Sequence, residues 1–413
     1  MNLREKTAER LMRYARIDTQ SSNESRTTPT TSRQFDLARV LKEELESIGV
    51  PQVIYDEKNC VVIGKIPGNV PGARSLGLIA HMDVSPDAPS ANVRPWILKD
   101  YRGGDIVLNE EKQIVMREAD YANLRQYVGD DLILTDGTTL LGADDKAAVS
   151  ELMTLAEYLL AHPEVPHGLV ALAFTPDEEV GGLAKDLDFG QFEAQSAYTV
   201  DGDHLGYYAD ETFYAYAAKV QITGLSVHPG TAKGIMKNAA DIACEYMRLL
   251  PQTEKPQYTE GREGYDHVHR MSGDCEHAEI ELILRDFDYA TMQRRLRELE
   301  DIADLLNAKY GPGTVTVESE EQYRNMKEII DTAPHLIANL RQAMQECGIE
   351  PKTAPFRGGT DGAALSWRGL PCPNISAGYE NAHGRMEYVS VQAMEATVRI
   401  LIRLCEICGK QQG

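Results

Sequence analysis

Residues 142–174 read GADDKAAVSELMTLAEYLLAHPEVPHGLVALAF and hold two successive elements of one α/β unit. From Ala147 to about His162, apolar residues recur at helical spacing, which predicts a helix with one buried face. The run from Gly168 to Phe174 is apolar throughout, which is typical of a strand buried on both faces of a sheet. A helix followed directly by a fully buried strand indicates an α/β domain.

The same alternation extends along the chain on both sides of this stretch. Upstream, a helical pattern from Phe35 to Ile48 ends at Gly49, and strand-like runs follow over Cys60 to Ile66 and Ser75 to Asp83. Downstream, Ala197 to Val200 reads as a further strand. We therefore expect a domain with a central mixed sheet flanked by helices.

After Tyr208 the order of elements changes. The predicted elements are a strand at Ala215–Thr223, a helix at Ile235–Leu250, a strand at Ala278–Phe287, a helix at Tyr289–Tyr310 and a strand at Thr314–Ser319. The α/β pattern then resumes with helices at Leu336–Glu346 and from Val391. We predict a small α+β domain over residues 211–323, inserted into a larger domain formed by residues 1–210 and 324–413.

Composition excludes several classes of function. The chain has 413 residues with 42 Lys and Arg against 64 Asp and Glu, a net charge of −22, which repels nucleic acid and anionic lipid. The start has no apolar segment of the kind found in signal peptides, so we expect a soluble, cytoplasmic protein. An odd number of cysteines, seven, suits a reducing compartment. We expect Cys405 and Cys408 to be buried thiols of the last helix.

Acidic residues and histidines gather where predicted strands end. His81 and Asp83 lie at the end of one strand, and their spacing places both side chains on one side of an extended chain. Three acidic turns and one late histidine complete the set, namely Asp144-Asp145, Asp177-Glu178-Glu179, Asp201-Gly202-Asp203 and His383. Catalytic ligands in open α/β sheets usually lie at such strand ends.

This mixture of imidazoles and carboxylates suits zinc or a similar divalent ion. A carboxylate shared between two ions would make a two-metal hydrolytic site. Any one acidic turn is more often a solvated loop or a helix cap, and a lone histidine is more often structural than a ligand. The argument depends on all these residues together. Several buried strands that each end in an acidic residue or a histidine need a cation to offset the charge.

The motifs in this order resemble the peptidase T family of tripeptide aminopeptidases, within the dinuclear zinc exopeptidases and deacylases. The segments that carry the resemblance are HMDVSPD, LLGADDKAAVSE, FTPDEEVGG, YTVDGD, SVHPGTAKG, LRDFD, FRGGTDGAALSWRGLPCPNISAG and NAHGRMEYV. The resemblance implies a zinc-exopeptidase-like catalytic domain with an inserted lid or dimerisation domain, and a homodimer. It also implies that the chain releases the N-terminal residue of tripeptides with two zinc ions per subunit.

Position by position, the resemblance implies a set of five metal ligands. His81 and Asp201 would bind one zinc ion, Glu179 and His383 would bind the other, and Asp144 would bridge the two.

The resemblance also implies the residues that act on the substrate. Glu178 would be the general base, and Asp83 would fix the tautomer of the ligand His81, a role that physical reasoning also requires. His228 would donate to the scissile carbonyl oxygen, either within its own chain or, in a dimer, at the active site of the other subunit. Arg285 is a candidate for binding the terminal carboxylate of the substrate, and Arg357 is a weaker one.

The chain departs from the family pattern beside the last histidine, with Ala382 before it and Arg385-Met386 after it. These departures and the segment Tyr258 to Cys275 leave the preferred side chains of the substrate open. Three related activities also stay open: dipeptidase, carboxypeptidase and N-acyl amino acid deacylase. A non-catalytic, metal-binding dimeric scaffold is a remote alternative, against which Glu178 and Asp83 argue.

Overall fold

A computed structural model describes residues 1–182 and 184–412 of the chain. Its α-helices, in chain order, are α1 (Leu3–Tyr14), α2 (Gln34–Ser47), α3 (Ala143–Ala161), α4 (Phe189–Phe192), α5 (Ala239–Leu249), α6 (Tyr289–Tyr310), α7 (Lys327–Ile330), α8 (His335–Glu346), α9 (Asp361–Trp367) and α10 (Val391–Gly409).

The β-strands alternate with these helices in the first part of the chain and near its end. They are β1 (Gln52–Asp56), β2 (Val61–Ile66), β3 (Leu76–His81), β4 (Trp96–Leu98), β5 (Ile106–Asn109), β6 (Ile114–Met116), β7 (Leu132–Leu134), β8 (Val170–Thr175), β9 (Ala197–Val200), β10 (Tyr207–Ala209), β11 (Tyr214–Thr223), β12 (Tyr265–Gly273), β13 (His277–Asp286), β14 (Val315–Tyr323), β15 (Lys352–Thr353), β16 (Asn374–Ile375), β17 (Tyr379–Glu380) and β18 (Tyr388–Ser390).

The chain divides into two compact units. The first unit comprises Met1–Asp210, Glu328–Ala354 and Thr360–Gly413, and the second comprises Glu211–Lys327 and Pro355–Gly359. Each unit has its own hydrophobic core.

The first unit is built on an eight-stranded sheet with the strand order β1-β2-β8-β3-β9-β16-β10-β15. Strands β8, β3 and β9 are parallel neighbours, whereas β1, β2 and β10 pair antiparallel with at least one neighbour, so the sheet is mixed. Because β8, β3 and β9 run in one direction, their carboxyl ends lie at one edge of the sheet. That edge is where the predicted ligands emerge.

Both faces of this sheet are covered. Helices α1, α3, α8 and α10 pack with one another, and their apolar side chains join those of Leu78, Leu172 and Phe174 in one core. A smaller core on the other face of the sheet includes Ile79 of β3 and Phe192 of α4. The central strands are consequently buried along their whole length, as their continuous apolar sequence predicts.

The second unit is a four-stranded antiparallel sheet in the order β12-β13-β11-β14, with α5 and α6 packed on one face. Residues of β13 alternate between buried and partly exposed, which is the pattern of a sheet covered on one side. Asn238 and Asp288 cap the two helices by accepting the N–H groups of Ala240 and Thr291.

Most elements predicted from the sequence are present, with boundaries shifted by a few residues. The helix predicted from Ile235 begins instead at Ala239, because the Asn238 side chain caps it there. Strand β12 was not predicted. Cys405 and Cys408 are buried thiols in α10, as expected. Among the described helices, none has both the length and the apolar character needed to cross a membrane.

Candidate metal centre

Predicted ligands from four separate turns meet at the carboxyl edge of the large sheet. His81 is the last residue of β3, Glu179 follows β8, Asp201 follows β9, and Asp144 lies in the first turn of α3. Each of β3, β8 and β9 is fully buried, and the candidate ligands lie at or shortly after their carboxyl ends. The peptide bond between Asp144 and Asp145 is cis.

Five of the predicted residues form two groups that share one member. Ligand atoms of His81, Asp144 and Asp201 lie within 4.8 Å of one another, and so do those of Asp144, Glu179 and His383. Nε2 of His81 lies 3.1 Å from Oδ1 of Asp144. Nε2 of His383 lies 3.4 Å from the other oxygen of Asp144 and 2.8 Å from Oε2 of Glu179. The two oxygens of Asp144 therefore face two different imidazoles.

Asp83 contacts both the first imidazole and the acidic turn after β8. Its Oδ1 lies 3.4 Å from Nδ1 of His81, and its backbone oxygen lies 3.2 Å from the same nitrogen. The carboxylate also accepts the backbone N–H groups of Glu178, at 3.0 Å, and Glu179, at 3.2 Å. With Nδ1 facing Asp83, Nε2 of His81 is left to face Asp144, which is the orientation a metal ligand needs.

Glu178 and Glu179 are adjacent but have different surroundings. Both lie in a short 3₁₀ turn, Glu178–Val180. The Glu179 carboxylate contacts His383, whereas Glu178 belongs to neither ligand group. Burial, together with repulsion from Asp144, raises the pKa of Glu179 to about 8, and burial raises the pKa of Glu178 well above its usual range. A carboxyl group with a raised pKa is suited to accept and release a proton near neutral pH.

The charges at this edge fit a cation. Burial also raises the pKa of Asp201, so this carboxylate is costly to ionise without a positive partner, whereas, despite burial, hydrogen bonds to His383 and His81 lower the pKa of Asp144. Hydrogen bonds to Asp144 and Glu179 raise the pKa of His383 to about 11. The donor set of imidazole nitrogens and carboxylate oxygens is that of zinc and similar divalent ions. Asp144 belongs to both groups, so the two candidate groups share one carboxylate.

Several contacts that hold this site were not predicted from the sequence. Oδ2 of the fully buried Asp145 accepts the backbone N–H of His81 at 3.1 Å. The Tyr379 hydroxyl donates to Oδ1 of Asp201 at 2.8 Å. Glu387 accepts three backbone N–H groups of the turn that carries Asp144. The signals in the sequence are that Asp145 adjoins Asp144 and that Glu387 follows His383 by four residues.

Asp177, which precedes the two glutamates, is anchored from the segment around the start of α2. Its carboxylate accepts the backbone N–H of Thr30 at 2.9 Å and the side-chain amide of Gln34 at 2.6 Å. Asp177 itself has a positive φ of 64°. The acidic turn after β8 is thus held on two sides, by Asp83 and by this segment.

His228 lies in the second unit, in a loop after β11. The loop is closed at its base by backbone hydrogen bonds in both directions between Leu225 and Lys237. The His228 side chain is exposed, and its Nδ1 accepts the backbone N–H of Gly230 at 3.1 Å. A neutral ring that accepts at Nδ1 carries its proton on Nε2, so this imidazole is set up to donate a hydrogen bond.

The two arginines predicted to bind substrate also lie in the second unit. Arg285 donates to the backbone oxygen of Leu284 and to Gln322, and its guanidinium lies over the Tyr323 ring. Arg357 donates to the backbone oxygens of Gly261, at 2.9 Å, and Glu263, at 2.7 Å. These contacts engage both guanidinium groups within their own unit.

Comparison with known proteins places this arrangement in a family. The model of peptidase family M20/M25/M40 matches residues 140–407, which is more than half of the chain. The chain belongs to peptidase family M20/M25/M40.

Relatives of this family match the chain over almost its whole length. Peptidase T of Geobacillus thermodenitrificans is 46% identical over 98% of both chains. The crystal structure of aminopeptidase PepT from Bacillus cereus superimposes with a TM-score of 0.77 at 20% identity, over 98% of this chain and 99% of that chain. A tripeptidase from Staphylococcus aureus superimposes with a TM-score of 0.78 at 20% identity, over 99% of both chains. The family and these relatives confirm the expected fold class, with its central mixed sheet, and the expected metalloaminopeptidase activity.

Proposed function

We propose that this chain releases the N-terminal residue of tripeptides at a centre of two zinc ions. The observation that carries the proposal is the position of Asp144, whose two oxygens face His81 and His383 and which belongs to both candidate ligand groups. A shared carboxylate of this kind is the feature that distinguishes a two-metal centre from two separate sites.

Five residues would hold the metal ions. His81 and Asp201 would complete one ion's ligands, Glu179 and His383 would complete the other's, and Asp144 would bridge them. Bound there, the ions would polarise the scissile carbonyl and lower the pKa of the attacking water. Asp83 would keep Nε2 of His81 directed at the centre by holding the Nδ1 side of the ring.

Glu178 would act as the general base. It lies next to the ligand Glu179, yet its carboxylate belongs to neither ligand group, and Asp83 holds its backbone N–H. In this role Glu178 takes a proton from the attacking water and then delivers it to the leaving amine nitrogen. Burial raises its pKa, which favours taking up the proton from the attacking water.

His228 and Arg285 would bind the substrate. His228 carries its ring proton on Nε2, so it would donate to the carbonyl oxygen as negative charge develops there. Arg285 would bind the terminal carboxylate of the peptide, and Arg357 is a weaker candidate for that task. A requirement for both a free amine and a carboxylate at a fixed distance would select peptides of three residues.

One experiment tests the activity and the length preference together. Purified protein is analysed for metal content and assayed on di-, tri- and tetrapeptides that are free, N-acetylated or C-amidated. We expect two zinc equivalents and cleavage of free tripeptides, with N-acetylated peptides inert. Cleavage of N-acetylated substrates would indicate a deacylase, release of the C-terminal residue would indicate a carboxypeptidase, and a preference for two residues would indicate a dipeptidase.

We also propose that the protein is a homodimer, on the basis of the family resemblance. Light scattering coupled to size-exclusion chromatography measures the mass directly. The mass of one subunit is 45.8 kDa, so a dimer would give twice that value and a monomer would exclude this part of the proposal.

A further inference from the structure

The turn that carries Asp144 is held by a carboxylate from near the end of the chain. One oxygen of Glu387 accepts the backbone N–H groups of Leu141, at 2.8 Å, and Gly142, at 2.7 Å. The other oxygen accepts the N–H of Asp144 itself, at 2.9 Å. Glu387 is only 1% exposed, so water does not compete for these hydrogen bonds. Among the described residues, no other side chain accepts a backbone N–H group of the Asp144 turn.

Glu387 belongs to the same turn as His383. The side-chain amide of Asn381 donates to the backbone oxygen of Met386 at 2.9 Å, which closes that turn. The backbone N–H of Glu387 donates to the oxygen of Gly384 at 3.3 Å. A single closed turn therefore presents one candidate ligand, His383, and also holds the backbone of another.

We propose that Glu387 is a positioning residue that sets the separation between Asp144 and His383, and thereby the metal affinity of the group Asp144, Glu179 and His383. This inference rests on the proposed function only in taking that group as a metal site. Removing the carboxylate would leave three buried N–H groups without an acceptor, so the turn would rearrange to satisfy them. Asp144 would then move relative to His383, because the hydrogen bonds that join their turns would be gone.

The alternative is that Glu387 serves only the stability of the fold. The chain offers a matched control in Glu151, which is also a fully buried glutamate and lies on α3. Neither carboxylate oxygen of Glu151 has a hydrogen-bond partner within the part of the chain that the structure describes. Glu151→Gln removes a buried carboxylate without touching the Asp144 turn.

The test measures zinc binding without any peptide. The metal-free wild type and the variants Glu387→Gln, Glu387→Ala and Glu151→Gln are titrated with Zn²⁺ in competition with a chromophoric chelator. We expect at least one of the two zinc equivalents to bind about ten- to a hundredfold more weakly in both Glu387 variants, the loss usual for a group that orients a ligand. The Gln variant should lose less than the Ala variant, because its amide oxygen can still accept. Glu151→Gln should bind both equivalents as the wild type does.

Thermal melting of the metal-free proteins separates positioning from a purely structural role. A Glu387→Gln variant that melts at lower temperature yet binds both zinc equivalents with wild-type affinity would overturn the proposal. If Glu387→Ala does not fold, the near-isosteric Gln variant decides. A wild-type protein that binds no zinc would overturn both this inference and the proposed function. A wild-type protein that binds two zinc ions but cleaves no peptide would overturn only the proposed function.

Discussion

The carboxylate of Asp83 accepts the backbone N–H of Glu178 at 3.0 Å and so joins the turn after β3 to the turn after β8. The same side chain lies 3.4 Å from Nδ1 of His81 and is fully buried. One carboxylate thus orients both the ring of a proposed metal ligand and the backbone of the proposed base.

Asp83→Asn tests this double role. Asparagine keeps the shape but offers one oxygen in place of two, so one of the backbone N–H groups of Glu178 and Glu179 loses its acceptor. We expect kcat to fall by about one to two orders of magnitude, with weaker metal binding. Steady-state kinetics and metal analysis measure both. Asp36→Asn, which changes an exposed acid paired with Arg39, should alter neither quantity.

Glu178→Gln should retain both metal ions, because Glu178 belongs to neither ligand group. We expect kcat to fall by about two to four orders of magnitude, because glutamine cannot carry the proton. The matched variant Glu179→Gln removes a proposed ligand and should lose metal instead. Near-native turnover by fully loaded Glu178→Gln protein would remove Glu178 from the role of base.

Asp144→Ala should lower the metal content, because the lost carboxylate both offsets charge and holds the two ions together. The matched variant is Asp145→Asn, whose amide oxygen can still accept the N–H of His81 and which should keep both ions. Atomic absorption after dialysis gives the stoichiometry. An unchanged metal content in Asp144→Ala would count against the bridge.

Arg285→Ala should raise KM for tripeptides and have less effect on C-amidated analogues, which already lack the carboxylate. Arg357→Ala is the comparison, since its guanidinium binds the backbone oxygens of Gly261 and Glu263. If Arg357→Ala lowers thermal stability and affects both kinds of substrate equally, Arg357 is excluded as the weaker candidate for binding the carboxylate. Equal losses of activity on free and C-amidated tripeptides in Arg285→Ala would give Arg285 a structural role as well.

His228→Ala should leave metal content and oligomeric state intact and lower kcat by about two to three orders of magnitude, the usual loss for one oxyanion donor. If the partner subunit supplies the histidine, mixing this variant with Glu178→Gln should form heterodimers with one restored site. Activity after subunit exchange is the measurement. Heterodimers without recovered activity would mean that His228 acts within its own chain or has no catalytic role.

The general location of the candidate site could be predicted from the sequence because it follows from local patterns. His81, Glu179 and Asp201 each come directly after a short apolar run, and parallel strands bring such positions to one edge. Strand β12 could not be predicted in this way. Its residues from Arg270 to Gly273 are exposed, so the apolar alternation that marks a half-buried strand is missing there.

The residues that hold the ligands escaped prediction for a different reason. Glu387 lies more than 240 positions from the backbone groups it binds, and Asp177 receives its hydrogen bonds from residues near position 30. The sequence marks Asp177 only as a member of an acidic turn, and Glu387 is one more acid among 64. Only the folded chain distinguishes a carboxylate that accepts buried N–H groups from one that faces water.

Four turns of the centre are joined in a closed circuit. Glu387, in the turn of His383, binds the backbone of the Asp144 turn, and Asp145 binds the backbone N–H of His81. Asp83 binds the backbone of the Glu178–Glu179 turn. Glu179 in turn contacts His383 at 2.8 Å, which closes the circuit. A disturbance at one turn is therefore passed to its neighbours from two directions. Two substitutions in different turns should together destabilise the centre by less than the sum of their separate effects, because the first already loosens the contacts that the second would have broken. Changes tolerated at this centre during evolution would accordingly have to arise in compensating sets spread over most of the chain.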